Sequence, residues 1–176
     1  MRIIGVDPGN AVTGYGVVER RTTLVWVGAG AIRGNGMARG PKRLAALYEK
    51  LLNVIDEYAP AAMSLERSFV ATNVQSAFTL GEARAVAMLV AAHRGLEVFE
   101  YTPTDVKLTI AGYGRADKET VKRMVRRTLA LDEATPLSDD AADALAIALT
   151  HLFRARLGLA IRAADAGRIA KPRVRA

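Results

Sequence analysis

The most restrictive feature of the sequence is the spacing of three apolar segments at its beginning. Residues 2–7, 13–20 and 23–33 have the residue composition of β-strands, and only short turns separate them. Parallel neighbours need a crossover of a dozen or more residues, whereas a short turn joins antiparallel neighbours. These segments are therefore predicted to form an antiparallel meander of three strands.

Helices and strands alternate in the rest of the chain. A first helix is predicted between two prolines over 41–60, with apolar residues at helical spacing at Leu44, Leu47, Leu51, Leu52 and Ile55. Two further strands are predicted at 61–69 and 97–101, and four further helices at about 74–94, 104–111, 117–130 and 139–157. We expect an α/β fold in which helices flank a five-stranded mixed sheet.

The size and composition of the chain favour one globular domain with a basic tail. A length of 176 residues with 51% hydrophobic side chains allows a substantial core. We assign residues 1–158 to a single domain and 159–176 to a flexible tail, which holds five basic residues against one acid. Two interpretations of the tail stay open, namely added phosphate contacts and a solvated terminus without a role.

The charge and the cysteine content narrow the function classes. The net charge of +7 and the pI near 10.0 favour a polyanionic partner. The absence of cysteine excludes disulfides and thiolate zinc sites. The longest apolar runs are too short for a membrane span or a signal peptide, so we expect a cytoplasmic protein.

Four acids stand where predicted strands or helices begin or end. Asp7 closes the first strand, Glu66 closes the fourth, and Asp140 and Asp143 share a face at the start of the last helix. Asp7 has an ordinary alternative, since Asp-Pro-Gly is common turn chemistry. Asp140 has another, since acids favour a helix N-terminus, here with Ser138 as the N-cap. Asp143 lies past the first turn and needs a partner that its own helix does not supply.

Carboxylates that converge without an interleaved Lys or Arg would repel one another unless cations neutralise them. Oxygen ligands favour the hard ions Mg²⁺ or Mn²⁺. Two such ions about 4 Å apart can activate a water and stabilise the leaving oxygen of a phosphodiester. Gly14 and Gly16 on the second strand are predicted to leave one face open for metal and phosphate. Spacing alone does not prove that the four acids converge.

Four segments carry a resemblance to a known family. In order, they are GVDPGNAVTGYGVV, SLERSFVATNVQSAFTLGEARAVA, VFEYTPTDVK and DDAADALAIALTH. Together they resemble the RuvC family of Holliday-junction resolvases over about residues 1–155. The resemblance implies a ribonuclease H-like nuclease domain that works as a homodimer. Each subunit would nick one of two opposed strands of a four-way DNA junction, leaving 5′-phosphate and 3′-hydroxyl ends. It also implies a partnership with a branch-migration complex of a junction-binding protein and a hexameric helicase.

The same resemblance assigns roles to particular residues. It makes Asp7, Glu66, Asp140 and Asp143 catalytic metal ligands for two Mg²⁺ ions, with Mn²⁺ as a possible substitute. Asp7 would be shared by both ions, Glu66 would hold one, and the two helical acids would hold the other. The resemblance also places Lys107 and Lys118 near the scissile phosphate.

Two neighbouring residues are excluded from the metal site. Asp139 is offset from Asp140 by about 100° around the helix, so we interpret it as a cap or a contributor to the local field. His151 lies roughly 12 Å along the helix from Asp143 and is interpreted as a packing or surface histidine.

DNA contacts are predicted from two further parts of the chain. The basic side chains of the helix at 117–130 cover one half of its circumference and suit phosphate binding, at Lys118, Lys122, Arg123, Arg126 and Arg127. A solvated helix face is the alternative. Phe69 is predicted to insert at the opened crossover, although core packing is the commoner use of phenylalanine.

The helix at 74–94 is the predicted dimer surface, through Val74, Phe78, Ala85 and Met88. Burial of that stripe within the chain is the alternative, and the sequence does not separate the two.

Three other function classes were weighed against a junction endonuclease. An ATPase of the actin and sugar-kinase type needs two domains and a second Asp-x-Gly signature. A junction-binding scaffold without activity gains nothing from acids that face phosphate. A ribonuclease H-like nuclease acting on structured RNA is the alternative that physical reasoning excludes least.

Overall fold

The computed structural model describes residues 1–33, 40–67 and 74–169, with side chains described up to residue 155. Its five strands form one sheet in the order β3-β2-β1-β4-β5. The strands are β1 Arg2–Asp7, β2 Val12–Arg20, β3 Leu24–Arg33, β4 Ala62–Glu66 and β5 Glu97–Tyr101. The first three are antiparallel, and β4 and β5 add to β1 in parallel. The predicted mixed sheet is confirmed.

Five helices flank the sheet, as predicted. They are α1 Pro41–Tyr58, α2 Val74–His93, α3 Pro103–Ala111, α4 Lys118–Thr128 and α5 Asp139–Ile169. The predicted end of α5 at residue 157 was wrong, because the helix continues to Ile169. Gly158 marks the predicted end, but a glycine inside a helix costs only about 1 kcal/mol relative to Ala and does not oblige the helix to stop. The division into a domain and a flexible tail stays a prediction.

The two faces of the sheet carry separate cores. One core lies between the sheet and α3, α4 and α5, and includes Ile3, Val125 and Leu149. The other lies between the sheet and α1 and α2, and includes Ile4 and Leu51. Successive residues of β1 therefore enter opposite cores, as the alternation of side chains along a strand requires.

Glycines on β1 and β2 let α5 lie directly against the sheet. A Cβ at Gly5 would meet the main-chain oxygen of Ala144 at 2.0 Å, and one at Gly14 would meet that of Asp140 at 2.1 Å. A Cβ at Gly16 would meet Leu145 at 2.7 Å. The prediction that Gly14 and Gly16 leave room for metal and phosphate was wrong, because α5 occupies that face. Among the described residues, no helix is long and apolar enough to cross a bilayer.

Candidate active site

Two of the predicted acids meet because their strands are parallel neighbours. Val6 of β1 is in register with Leu65 of β4, so Asp7 and Glu66 follow at the same edge of the sheet. Both strands end there, so the side chains of Asp7 and Glu66 are half-buried rather than enclosed in the core. The geometry brings these two carboxylates together as the strand order predicts.

The start of α5 delivers the other two acids to this edge. The hydroxyl of Ser138 accepts a hydrogen bond from the backbone N–H of Ala141 at 3.3 Å, which confirms the predicted N-cap. The main chain of Asp140 packs on Gly14, which is paired with Asp7 across β1 and β2. One turn later, Asp143 points toward the strand ends.

A pocket of about 260 Å³ lies between these elements. Its described lining consists of Asp7, Glu66, Pro103, Val106, Lys107, Lys118, Val121, Asp143 and Ile147. The lining therefore combines three of the predicted acids with both lysines that the resemblance placed near phosphate. The apolar part comes from α3, α4 and α5 and was not predicted, because the contacts between these helices leave no signal in the sequence.

Charge repulsion is concentrated on Asp7. Burial, and after it the carboxylates of Glu66 and Asp143, raise the pKa of this carboxyl from 3.8 to about 7. The charge of Asp140 acts in the same direction, and the ammonium of Lys118 opposes it. All four acids therefore share one electrostatic environment.

Lys118 supplies the partner that Asp143 needed. Its Nζ donates a hydrogen bond to Oδ2 of Asp143 at 3.0 Å, and this contact raises the pKa of the lysine. The acids are therefore not a cluster without an interleaved base, because Lys118 lies among them. The lysine comes from α4, twenty-five positions from Asp143 along the chain.

The donor chemistry of the pocket fits a hard divalent cation. Within the described parts of the chain, no group of three or more acidic or histidine side chains forms a ready metal site. However, the predicted ligands that meet here are all carboxylates, which repel one another and are half-buried. A divalent cation offsets such repulsion more completely than the single charge of Lys118.

The two residues excluded from the predicted metal site, Asp139 and His151, have other partners in the structure. Asp139 is exposed and pairs with Lys122 at 2.6 Å, so its charge is already neutralised. His151 is buried, accepts or donates a hydrogen bond at 2.8 Å with the hydroxyl of Tyr101, and packs on Phe99. Its interpretation as a packing histidine is confirmed.

The predicted DNA contacts divide into three groups. Lys107 and Lys118 line the pocket, and Arg123 is exposed on α4. Arg126 instead donates to the carbonyl oxygens of Asp132 and Thr135 at 2.9 Å, where it closes the loop after α4. Phe69 lies outside the described residues.

Comparison with known proteins gives one consistent family. The family model described as crossover junction endodeoxyribonuclease RuvC matches residues 3–151. The RuvC of Natranaerobius thermophilus is 44% identical over 158 residues, which covers 89% of this chain and 98% of the relative. The RuvC of Rubrobacter xylanophilus is 48% identical over 162 residues, covering 90% and 88%.

Solved structures agree with the sequence relatives. The structure titled T. thermophilus RuvC in complex with Holliday junction substrate is 34% identical, with a TM-score of 0.82, and the match covers 90% of this chain and 96% of that one. The yeast mitochondrial Holliday junction resolvase Ydc2 is 14% identical with a TM-score of 0.58, covering 84% and 77%, and shows the fold alone. These neighbours and the five-stranded sheet agree with the ribonuclease H-like fold that the resemblance implied.

Proposed function

The chain belongs to the RuvC family of crossover junction endodeoxyribonucleases, and on that premise we propose that it resolves four-way DNA junctions by paired, symmetric nicks in recombination and repair. The observation that carries the proposal is the pocket that joins Asp7, Glu66 and Asp143 with Lys107 and Lys118. Acids beside lysines suit a site that must hold both cations and a phosphate. We also propose that the enzyme works in the cytoplasm, as expected from the sequence.

The metal ligands are Asp7, Glu66, Asp140 and Asp143. We propose two Mg²⁺ ions, with Mn²⁺ as a possible substitute, because oxygen donors on a half-buried surface favour hard ions. When bound, the ions supply activation of a water and charge stabilisation of the leaving oxygen. The chain's own contribution is to hold four carboxylates at one edge of the sheet in spite of their repulsion. The products would carry 5′-phosphate and 3′-hydroxyl ends.

The lysines act on the phosphate. Lys118 is paired with Asp143 in the free protein, yet 77% of its side chain is exposed. The exposed ammonium can leave this partner when a cation takes over the carboxylate. It then becomes available to the scissile phosphate, where fixed positive charge favours the transition state. Lys107 faces the same pocket from α3, whose start is fixed by a capping box between Thr102 and Asp105.

The surface around the pocket would hold the DNA arms. Lys122 and Arg123 on α4 are proposed to contact the DNA backbone, although Lys122 must first leave Asp139. Arg126 has two donors engaged by main-chain oxygens and contributes chiefly its charge. Phe69 is proposed to insert at the opened crossover, as the sequence suggested.

A homodimer would place two such pockets on one junction. Val74, Phe78 and Met88 on α2 are 72%, 65% and 41% exposed, and Ala85 between them is exposed as well. Their spacing puts them on one face of the helix. A second copy of the chain packed on this face would match the approximate two-fold symmetry of a four-way junction. A branch-migration complex is proposed as the partner that delivers the junction.

A cleavage assay tests the proposal. A synthetic mobile four-way junction is incubated with the protein and Mg²⁺ or Mn²⁺, with a linear duplex of the same sequence as the control. We expect paired nicks on the junction alone, in products that a ligase can seal. Asp7→Asn should bind the junction without cutting it. Equal cutting of the linear duplex, or full activity in excess chelator, would contradict the proposal.

A further inference from the structure

A buried arginine supports the turn that follows Asp7. Arg43 on α1 is 3% exposed, and its Nη2 donates hydrogen bonds to the carbonyl oxygens of Asn10 at 2.8 Å and Gly9 at 3.4 Å. These carbonyls belong to the loop between β1 and β2, which begins at the residue after Asp7. A charged donor on a loop carbonyl makes a stronger hydrogen bond than a neutral one. Arg43 therefore restrains the backbone from which Asp7 projects.

A second arginine supports the strand end that carries Glu66. Arg84 on α2 donates from Nη1 to the carbonyl oxygen of Glu66 at 3.0 Å. It also forms an ion pair with Glu100 of β5. The guanidinium thus joins α2 to the ends of β4 and β5 at the edge where the acids meet.

Both restraints meet on α2. The carboxylate of Glu82, on this helix, lies 3.6 Å from Nη1 of Arg43. Arg84 follows Glu82 by two positions, so the two side chains project to different sides of the helix. One side reaches the loop after Asp7 through Arg43, and the other reaches Glu66 directly.

These arginines differ from the basic groups that face DNA. The Arg43 side chain is buried, and each of the two arginines is paired with a carboxylate of this chain, Glu82 or Glu100. Both arginines donate hydrogen bonds to main-chain carbonyl oxygens, which carry no formal charge. A role in phosphate binding would need them exposed and unneutralised.

We propose that Arg43 and Arg84 are positioning residues. Arg43 holds the loop after Asp7 and Arg84 holds the end of β4, which keeps the carboxylates of Asp7 and Glu66 at the separation that cleavage requires. This inference rests on the proposed function of the two acids. A displacement of about 1 Å in a reacting group can lower a rate on the order of 100-fold. The two arginines therefore act on the rate of cleavage rather than on the affinity for the junction.

The test compares Arg43→Met and Arg84→Met with Arg20→Met. Arg20 is the matched control because it also donates to a main-chain oxygen, that of Leu152 at 2.9 Å. It ends β2 next to Glu19, which pairs with Arg2 at the opposite end of β1 from Asp7. All three variants remove a guanidinium but keep a long apolar side chain.

The first readout is cleavage at saturating junction. We expect the rate to fall about 10- to 100-fold in Arg43→Met and in Arg84→Met, with the junction Kd within about twofold of the parent. Arg20→Met should retain the parental rate. Arg43→Lys should recover part of the loss, because an ammonium can still donate to one carbonyl.

The second readout does not require activity. Amide hydrogen exchange of the metal-free protein should accelerate at residues 9–12 in Arg43→Met and at 65–67 in Arg84→Met, and at neither segment in Arg20→Met. Parental rates in both variants, or unchanged exchange at these segments, would overturn the inference. If Arg43→Met does not fold, Arg84→Met and Arg43→Lys carry the same two readouts.

The two failures can be told apart. A parent chain that does not cut junctions would refute the proposed function and leave the exchange result standing. A parent that cuts, with variants that cut equally well, would refute only the role of the arginines.

Discussion

Replacing Asp7 by Asn should make the metal-free protein more stable at alkaline pH. Burial and the neighbouring carboxylates raise the pKa of Asp7 from 3.8 to about 7 in the folded chain. A raised pKa means that the protonated form is favoured on folding. The stabilisation is complete below about pH 4 and is lost as the pH rises through about 7. An amide has the shape of the carboxylic acid and carries no charge at any pH.

The size of the effect follows from the shift. A shift of about three pH units corresponds to roughly 4 kcal/mol at 1.36 kcal/mol per unit. At pH 8 in excess chelator, we expect Asp7→Asn to exceed the parent by up to about 4 kcal/mol in the free energy of unfolding. At pH 4 the difference should fall below about 1 kcal/mol, because the parental carboxyl is then protonated when folded.

Urea unfolding at a fixed protein concentration measures the difference at each pH. Asp139→Asn is the matched control, because Asp139 is exposed and its hydrogen bond to Lys122 lowers its pKa. This control should give no gain in stability at pH 8. The reasoning would be refuted if Asp7→Asn were no more stable than the parent at pH 8, or if the difference did not vary with pH.

Added Mg²⁺ should make the parent chain more stable than Asp7→Asn. A ligand that binds only the folded state stabilises it by RT ln(1 + [L]/Kd), so the gain depends on the affinity of the site. The parent chain should therefore gain stability with Mg²⁺ at pH 8, and Asp7→Asn should gain much less. Equal gains in the two proteins would indicate that Asp7 is not a ligand.

Three further predictions concern other parts of the chain. Gly14→Ala should destabilise the protein by about 3 kcal/mol and abolish cleavage, because its Cβ would meet the Asp140 main-chain oxygen at 2.1 Å. Gly81→Ala is the control, since no atom lies within 4 Å of its Cβ, and it should show no loss of stability in urea unfolding. Phe78→Glu should turn a dimer into a monomer in analytical ultracentrifugation, since it places a charge on the exposed face of α2. Burial lowers the pKa of His151, so the folded protein loses stability as the pH falls below about 6.5. His151→Gln should flatten the pH–stability curve below that pH and leave cleavage at pH 8 unchanged.

Local signals in the sequence were sufficient to predict the sheet. The short turns among the first three strands allowed only antiparallel pairing, and the later alternation with helices allowed only parallel addition. The role of Gly14 and Gly16 could not be predicted in this way. Two glycines on one strand face give the same sequence pattern whether a ligand or a helix covers that face. Which of the two covers it depends on where α5 packs.

The same distinction applies to the site. Asp7 and Glu66 stood out because they end predicted strands, and Asp140 and Asp143 because they share a face at the start of the last helix. The resemblance to a known family then assigned all four to one site. The contact of Lys118 with Asp143 was not predicted as a pair, because it depends on the packing of α4 on α5. Arg43 and Arg84 were missed entirely, because their acceptors are main-chain oxygens that every residue possesses.

The composition of α2 connects its surface with the site. A helix that is apolar on all sides is normally covered on all sides. Only one side of α2 packs on the sheet, through Ala83, Ala87 and Val90. Its two charged residues, Glu82 and Arg84, are both ion-paired within the chain. The exposed side is therefore apolar and suits a second copy of the chain. Because Glu82 and Arg84 of this helix link it to the elements that carry Asp7 and Glu66, packing of a partner on α2 would stiffen the elements that position the acids.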